Sequence, residues 1–150
     1  MARQRKSKDG RSRPPLSPKA RAVGLLSRRE HGARELKAKL VQRGIEADDA
    51  EAAVTELARD GWQSDLRYAQ AVIRSRAGHG YGLMRVEHEL SHAGIGRDTI
   101  DAALAEEAVD WETVAREVWS RRFEAPRDAR ERAKQFRFMA SRGFSADRLA

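Results

Sequence analysis

Residues 80–104 read GYGLMRVEHELSHAGIGRDTIDAAL, and this stretch decides the fold. Gly94 is suited to the left-handed conformation that ends a helix. Asp98 is placed to cap a second helix by accepting its free N–H groups. The stretch therefore predicts a helix, a tight turn and a second helix. Apolar residues at steps of three and four fall on one face of the first helix: Leu83, Val86, Leu90 and Ala93.

The same pattern occurs three times along the chain. In each copy an apolar residue follows a glycine directly, and an aspartate comes four residues after that glycine. The glycines are Gly44, Gly94 and Gly143, and the third copy continues with Asp147 and Leu149. Agreement at several offsets predicts an array of helical units that stack because no unit buries its apolar face alone.

The repeats set the expected domain organisation. The first helix is predicted to begin at Ser17 or Pro18, and the second repeat at Ser64 or Asp65. Trp62 is expected to pack into the junction between these two repeats. We predict a disordered basic tail and three helical repeats: 1–19, 20–62, 63–109 and 110–150.

The third repeat is expected to depart from the register of the other two. Its first helix carries apolar residues at Trp111, Val114 and Val118. Its second helix is predicted to bury a stripe that is shifted by about one residue relative to the first two copies. That stripe consists of Ala129, Ala133, Phe136 and either Met139 or Ala140.

Composition limits the class of protein. The 150 residues include no Cys, which excludes a disulfide framework and a Cys-based zinc site. No apolar run is long enough to span a membrane, and no apolar core of a secretion signal follows the basic N-terminus. We therefore expect a cytoplasmic protein without membrane contact.

The positive charge is concentrated at the N-terminus. Residues 1–21 hold eight Lys or Arg and one acid, Asp9, so their net charge of +7 equals that of the whole chain. Such an arm gives salt-dependent, sequence-independent affinity for phosphates, although a purely solubilising leader is the alternative. The expected phosphate contacts are Arg3, Arg5, Lys6, Lys8, Arg11 and Arg13.

An arginine pair recurs near the end of the first helix of each repeat. The copies are Leu26–Arg29, Ile73–Arg76 and Trp119–Arg122. Cations at a helix C-terminus interact favourably with the macrodipole, which is one explanation. The other is a row of guanidinium groups that binds phosphates and carboxylates. That row would contain Arg28, Arg29, Arg74, Arg76, Arg121 and Arg122, joined by Arg85 and by Tyr81, the anchor of the glycine-rich connection Ala77–Gly82.

The strongest enzyme-like motif is His88-Glu-Leu-Ser-His92, which matches the HExxH pattern of zinc peptidases. No third His follows it, and the helical spacing places both imidazoles opposite the apolar stripe. The glycine-rich connection lacks the Lys-Ser/Thr ending of a phosphate-binding loop. We find no other catalytic set, and we predict a binding protein with no metal and no cofactor.

The middle of the chain resembles the RecX regulators of bacterial recombination. The resemblance covers about residues 20–149 and is most specific in the second repeat. It rests on Gly61-Trp-Gln-Ser-Asp65, Arg67-Tyr-Ala69, Arg74-Ser-Arg76, His79-Gly-Tyr-Gly82, Arg85-Val86, Glu89-Leu90 and Gly94-Ile95.

This resemblance implies an all-α fold: an elongated, curved array of three tandem three-helix repeats. It implies a monomeric regulator of recombination, DNA repair and the SOS response that binds the RecA filament on single-stranded DNA and inhibits its ATPase and strand exchange. Only Leu149 and Ala150 follow Asp147, so the last repeat is expected to be truncated.

The competing interpretation is a free-standing DNA-binding repeat protein, because helix-turn-helix units with a basic arm also occupy DNA grooves. Reversing the charges of Arg74, Arg76 and Arg85 is expected to weaken filament inhibition while leaving the helices intact. A zinc hydrolase is a distant third interpretation.

Overall fold

The computed structural model describes residues 14–145, which form eight α-helices and no strand. The predicted all-α repeat architecture is confirmed: the first two repeats contribute three helices each, and two helices of the third are described. The helices are α1 (Pro18–Leu26), α2 (Ala33–Gln42), α3 (Ala47–Arg59), α4 (Asp65–Gly78), α5 (Leu83–His92), α6 (Arg97–Glu107), α7 (Trp111–Arg122) and α8 (Ala129–Ser141). None of these helices is long and apolar enough to cross a bilayer.

Each repeat has its own apolar core, and the cores differ in size. In the first repeat α1, α2 and α3 bury Ala22, Leu25, Leu36, Leu40, Ala50, Val54 and Leu57. The second repeat buries an equivalent set of seven, whereas α7 and the α8 corner bury only Ala115, Met139 and Phe144. The third core is therefore the smallest of the three in the described residues.

The three predicted glycine corners adopt the same geometry. Gly44, Gly94 and Gly143 have φ of +89°, +83° and +97°. In each corner the amide of the next residue donates to the carbonyl five residues earlier, from Ile45 to Leu40 at 3.2 Å, Ile95 to Leu90 at 3.0 Å and Phe144 to Met139 at 3.1 Å. This is the Schellman arrangement, in which a left-handed glycine ends the helix and its carbonyls stay paired. The equivalence of the corners is confirmed, whereas Asp147 and Leu149 lie outside the described residues.

The helix starts follow the sequence only in part. The predicted starts of α1 and α4 are confirmed, and Ser17 and Ser64 cap these helices by accepting hydrogen bonds from Ala20 N at 3.1 Å and Arg67 N at 3.2 Å. The prediction for Asp98 is wrong, because the N-cap of α6 is Gly96, two residues after the corner glycine, and the helix begins at Arg97. Asp98 therefore lies inside the first turn, where its carboxylate interacts favourably with the positive end of the helix dipole but does not cap the helix.

In the contact between the first two repeats, a residue of the second repeat caps a helix of the first. α2 begins after Gly32, which has no side chain to cap it. Asp65, at the start of α4, supplies the acceptor: its Oδ1 accepts a hydrogen bond from the amide of Ala33 at 2.8 Å. The buried Gln63 side chain donates both to this Oδ1 at 2.9 Å and to the carbonyl of His31 at 3.2 Å. One carboxylate thus joins the two repeats.

The contact between the second and third repeats uses backbone instead. The amide of Gly82 donates to the carbonyl of Arg142 at 2.8 Å, and the amide of Met84 donates to that of Gly143 at 3.1 Å. A Cβ on Gly82 would lie 2.4 Å from the Gly143 oxygen, and one on Gly143 would lie 2.6 Å from the Arg85 Cβ. The start of α5 therefore packs directly on the corner that ends α8.

Two packing predictions are wrong. Trp62 does not enter the repeat junction and is 56% exposed, because the smaller Gln63 occupies that position. The α8 stripe is not shifted: Gln135 and Met139 are buried, while Ala129, Ala133 and Ala140 are exposed. Gln135 stands eight residues before its corner glycine, as Leu36 and Val86 do. Because Gln135 is polar, the sequence pattern did not show that α8 has the same register as α2 and α5.

Candidate functional site

Tyr81 lies between two guanidinium groups at the junction of the second and third repeats. It follows Gly80, whose φ of +78° ends α4, so its ring projects next to the start of α5. The Cζ atoms of Arg85 and Arg142 each lie 4.3 Å from the ring centroid. The predicted role of Tyr81 as an anchor thus has a geometric basis, since cations over an aromatic face are held by the ring quadrupole.

The stacking continues into the third repeat. Arg142 lies 5.8 Å from the Phe138 ring, and the Cζ of Arg122 lies 4.4 Å from the same ring. Phe138 in turn meets Phe123 edge-to-face, with 5.3 Å between centroids. Alternating cations and rings thus run across the junction. We call the set Arg85, Tyr81, Arg142, Phe138 and Arg122 the arginine–aromatic stack.

The stack differs electrostatically from three other arginines of the predicted row, which are paired with carboxylates. Arg29 forms a bidentate ion pair with Glu35, and Arg76 forms one with Glu89. Arg74 forms a single ion pair with Glu107. Within residues 14–145, none of the three arginines of the stack forms an ion pair with a carboxylate. The exposed members, Arg85 and Arg122, are therefore available to an external anion.

The ion pairs also explain the shifted carboxyl groups. Hydrogen bonds from Arg76 hold the pKa of the Glu89 carboxyl below its ordinary value. Those from Arg29 lower the pKa of the Glu35 carboxyl in the same way. Both carboxylates are therefore committed to a neighbouring guanidinium, and neither is suited to act as a general base, which needs a pKa close to the working pH.

A groove of about 760 Å³ lies beside the stack. The corner that ends α8 forms one wall, through Ser141 and Gly143, and α5 forms the other. A second recess of about 380 Å³, lined partly by Arg121, Arg122 and Phe138, lies between the α4–α5 connection and α7. Both recesses border the arginine–aromatic stack. The side chains of the larger groove include Arg76, Tyr81, Arg85, His88, Glu89 and His92.

The predicted arginine row is not one equivalent set. Arg28 and Arg29 lie beyond the end of α1, whereas Arg74 and Arg76 lie within α4 and Arg121 and Arg122 end α7. The macrodipole explanation therefore fits only the last two repeats. The structure brings Tyr81, Arg85 and Arg122 together, and it leaves Arg28 and Arg29 in the first repeat. The predicted contacts Arg3, Arg5, Lys6, Lys8, Arg11 and Arg13 fall outside the described residues.

Sequence reasoning missed Arg142 and Phe138. Arg142 donates to the carbonyl of His79 at 3.3 Å and stacks on Tyr81, although 61 residues separate it from that ring. The sequence carries no signal for a pairing that the docking of two repeats creates.

The HExxH segment does not form a hydrolytic centre in this structure. His88 and His92 are exposed on α5, as predicted, and Glu89 is held by Arg76. Among residues 14–145, no three His, Asp or Glu side chains are placed to share a metal ion. The arrangement has neither the third ligand nor the free base that zinc peptidase chemistry requires.

These features define a helical-repeat protein whose most distinctive surface is an arginine–aromatic junction. Sequence models of the first, second and third three-helix domains of RecX match residues 19–57, 64–104 and 110–147. The chain belongs to the RecX family.

Curated relatives share the name "Regulatory protein RecX". The chain is 45% identical over 144 residues to that of Xanthomonas citri, covering 95% of this chain and 89% of the relative. It is 47% identical over 131 residues to that of Pseudomonas fluorescens, covering 86% and 84%. The crystal structure of RecX from Lactobacillus salivarius matches with a TM-score of 0.69 at 21% identity, covering 88% of this chain and 89% of that one. This last likeness concerns the fold.

Proposed function

We propose that this protein binds the RecA filament on single-stranded DNA and inhibits its ATPase and strand-exchange activities. The observation that carries the proposal is the arginine–aromatic stack, whose guanidinium groups have no carboxylate partner among the described residues. Family membership and the regulatory naming of the relatives support the same function.

The chemistry of the stack suits a nucleoprotein surface. Planar guanidinium groups bind phosphate oxygens through two parallel hydrogen bonds. The exposed Arg85 and Arg122 are its accessible cations, whereas Arg142 is only partly exposed and also supports the repeat junction. We therefore assign the contact with DNA or filament to Arg85 and Arg122, and the supporting role to Arg142.

The charge-reversal variant of Arg74, Arg76 and Arg85 is no longer the best test, because Arg74 and Arg76 are paired within the protein. We propose the double variant Arg85→Gln/Arg122→Gln, which removes two positive charges from exposed positions. The concentration required for half-maximal inhibition of the filament ATPase is expected to rise at least about tenfold, since even two lost contacts of about 0.7 kcal/mol each, near the low end for a hydrogen bond, amount to a factor of ten.

The matched control is Arg43→Gln/Arg59→Gln, which makes the same change in net charge on exposed residues of the first repeat. Its inhibition should remain within about twofold of that of the wild type, since surface charges away from the interface have small effects. Equal losses in both variants would attribute the effect to net charge and would contradict a specific role for the stack.

A binding titration separates regulation of the filament from binding to DNA in general. The wild-type protein is added to bare single strands, bare duplex and the RecA filament at two salt concentrations. Selective binding to the filament that persists at high salt supports the proposal. Equal binding to every form of DNA that falls steeply with salt would instead favour a free-standing DNA-binding protein.

A further inference from the structure

His88 and His92 form a pair on α5 that the proposed function does not use. Their rings lie 5.9 Å apart between centroids and are nearly parallel, with an interplanar angle of 17°. Both side chains are exposed and line the groove between the second and third repeats. Within residues 14–145 neither imidazole forms a hydrogen bond or an ion pair with another side chain or with the backbone. Their ring nitrogens are therefore free to bind a ligand.

The pair is not required by the repeat architecture. Residues six and two positions before the corner glycine are Ala38 and Gln42 in the first repeat and Arg137 and Ser141 in the third. All four are exposed. Because unrelated side chains occupy the equivalent positions, neither core packing nor the corner geometry explains two imidazoles one helical turn apart.

We infer that His88 and His92 chelate a divalent late transition-metal ion, each through one ring nitrogen. Side chains four residues apart on a helix have Cβ atoms about 5–6 Å apart. Rotation about the side-chain bonds brings two imidazole nitrogens within the roughly 2.0–2.1 Å of one ion that such coordination requires. Imidazole suits copper, nickel and zinc, and the general order of affinity places Cu²⁺ above Ni²⁺ and Zn²⁺.

The surroundings define this as a reversible chelate and not as a catalytic or structural site. The charge of Arg76 is offset by Glu89, whereas Arg85 keeps its positive charge three residues before His88 and lowers the affinity of the pair for a cation. Two protein ligands leave the remaining coordination positions open to water in the groove. Protein purified without added metal is therefore expected to contain less than one equivalent of zinc.

Calorimetric titration of the full chain, prepared without a polyhistidine tag, tests the inference. NiCl₂, ZnCl₂ and CuCl₂ are each titrated into wild type, His88→Ala and His92→Ala. The wild type should bind one ion through this pair, most tightly Cu²⁺. Either substitution should weaken binding at least about tenfold, since even the loss of a group that supports a metal ligand costs about 10–100-fold.

His79→Ala is the matched control, because His79 is also exposed but its Nδ1 lies 2.6 Å from the Ser75 carbonyl and it has no His partner one turn away. It should bind metal like the wild type. Circular dichroism should show unchanged helicity in all variants, since the altered side chains are exposed. Absence of saturable binding of all three ions by the wild type, or wild-type affinity in His88→Ala/His92→Ala, would overturn the inference. Neither result bears on filament inhibition.

Discussion

Gly44 and Gly143 have the same backbone conformation but different neighbours. Both have positive φ, so a side chain at either position strains the backbone. No atom of another described segment lies within 4 Å of a Cβ built on Gly44, whereas a Cβ on Gly143 would overlap the backbone and Cβ of Arg85. Comparing the same substitution at the two glycines therefore separates the free-energy cost of backbone strain in the corner from that of the clash between repeats.

We expect Gly44→Ala to lower the free energy of unfolding by about 1–2 kcal/mol, the cost of a left-handed alanine. Gly143→Ala should cost about 1–3 kcal/mol more, because the added methyl group forces the second and third repeats apart. Chemical denaturation of the two variants beside the wild type measures this difference. Equal destabilisation would show that the close approach of α5 to the Gly143 corner contributes nothing.

The burial of His31 predicts that stability depends on pH. It is 2% exposed, and its Nδ1 lies 3.0 Å from the carbonyl of Arg29. Burial lowers the pKa of His31 below its ordinary value of 6.5, and the charges of Arg29 and Lys39 add to this against the hydrogen bond to the Arg29 carbonyl and the charge of Glu35. The unfolded chain therefore binds a proton more readily than the folded protein as the pH falls through 6.5.

The free energy of unfolding is expected to decrease between pH 7.5 and 5.5, and to decrease less in His31→Asn, which retains a donor near the Arg29 carbonyl. Denaturation at several pH values gives the two slopes. The comparison of slopes is independent of the absolute stability of the variant, and identical slopes would contradict the assignment to His31. The paired carboxyls Glu35 and Glu89 contribute only below this range, since their pKa values are lowered from 4.5.

Sequence alone predicts residues whose role is local. The corner glycines were found because a left-handed residue after an apolar stripe is specified within five or six positions. The stacking of Arg142 on Tyr81 and the burial of His31 were not found, because both depend on segments brought together by packing. The predicted arginine row was incomplete for the same reason: sequence places arginines near helix ends but does not show which carboxylates neutralise them.

Among the helices, α2 depends on a residue outside its own repeat. Asp65→Ala removes the acceptor for the Ala33 amide and for the buried Gln63 side chain. We expect a loss of about 1–2 kcal/mol in the free energy of unfolding, the range for a lost helix cap. Asp65→Asn keeps an acceptor oxygen and should recover most of this loss. Thermal denaturation of the three proteins provides the comparison.

Asp98→Ala is the control for this prediction, because Asp98 stands in the first turn of α6 without capping it. Asp98→Ala should lower the free energy of unfolding only by the dipole contribution of about 0.3–1 kcal/mol. A larger effect at Asp98 than at Asp65 would reverse the roles that the two carboxylates have in this structure.

The α8 helix shows why an amphipathic pattern was assigned to the wrong face. Gln135 occupies the position of Leu36 and Val86, and its Nε2 donates to the carbonyl of Glu124 at 3.0 Å. A buried glutamine weakens the apolar stripe that reveals helical periodicity, and neighbouring alanines suggested the alternative. The fixed distance to the corner glycine was the more reliable guide, because it reflects the backbone and not the side-chain composition.

At the scale of the whole molecule, the unequal cores predict unequal local stability. The first and second repeats bury seven apolar residues each in their clusters, whereas the third cluster holds three. In a repeat array each unit depends on its own core and on its neighbour, so the smallest core opens most easily. We expect amide hydrogen exchange in α7 and α8 to be faster than in α5 and α6.

The variant Tyr81→Ala should accelerate exchange in α8 further, because it removes the ring that Arg142 stacks on. Val41→Ala provides a control, since Val41 is an exposed residue of the first repeat and should leave α8 unchanged. Exchange of α7 and α8 as slow as that of the second repeat would contradict the prediction. Mass spectrometry of peptides from each helix resolves the three repeats separately.

The glycine corners also give the array a direction along which it could be lengthened. Arg34, near the start of α2, packs against Gly94, and the start of α5 packs against Gly143. The corner at Gly44 receives no such neighbour from the described chain. Each of the other two corners thus serves the repeat that precedes it, so every copy added by duplication of such a 50-residue module would have to meet the corner of the copy that follows it.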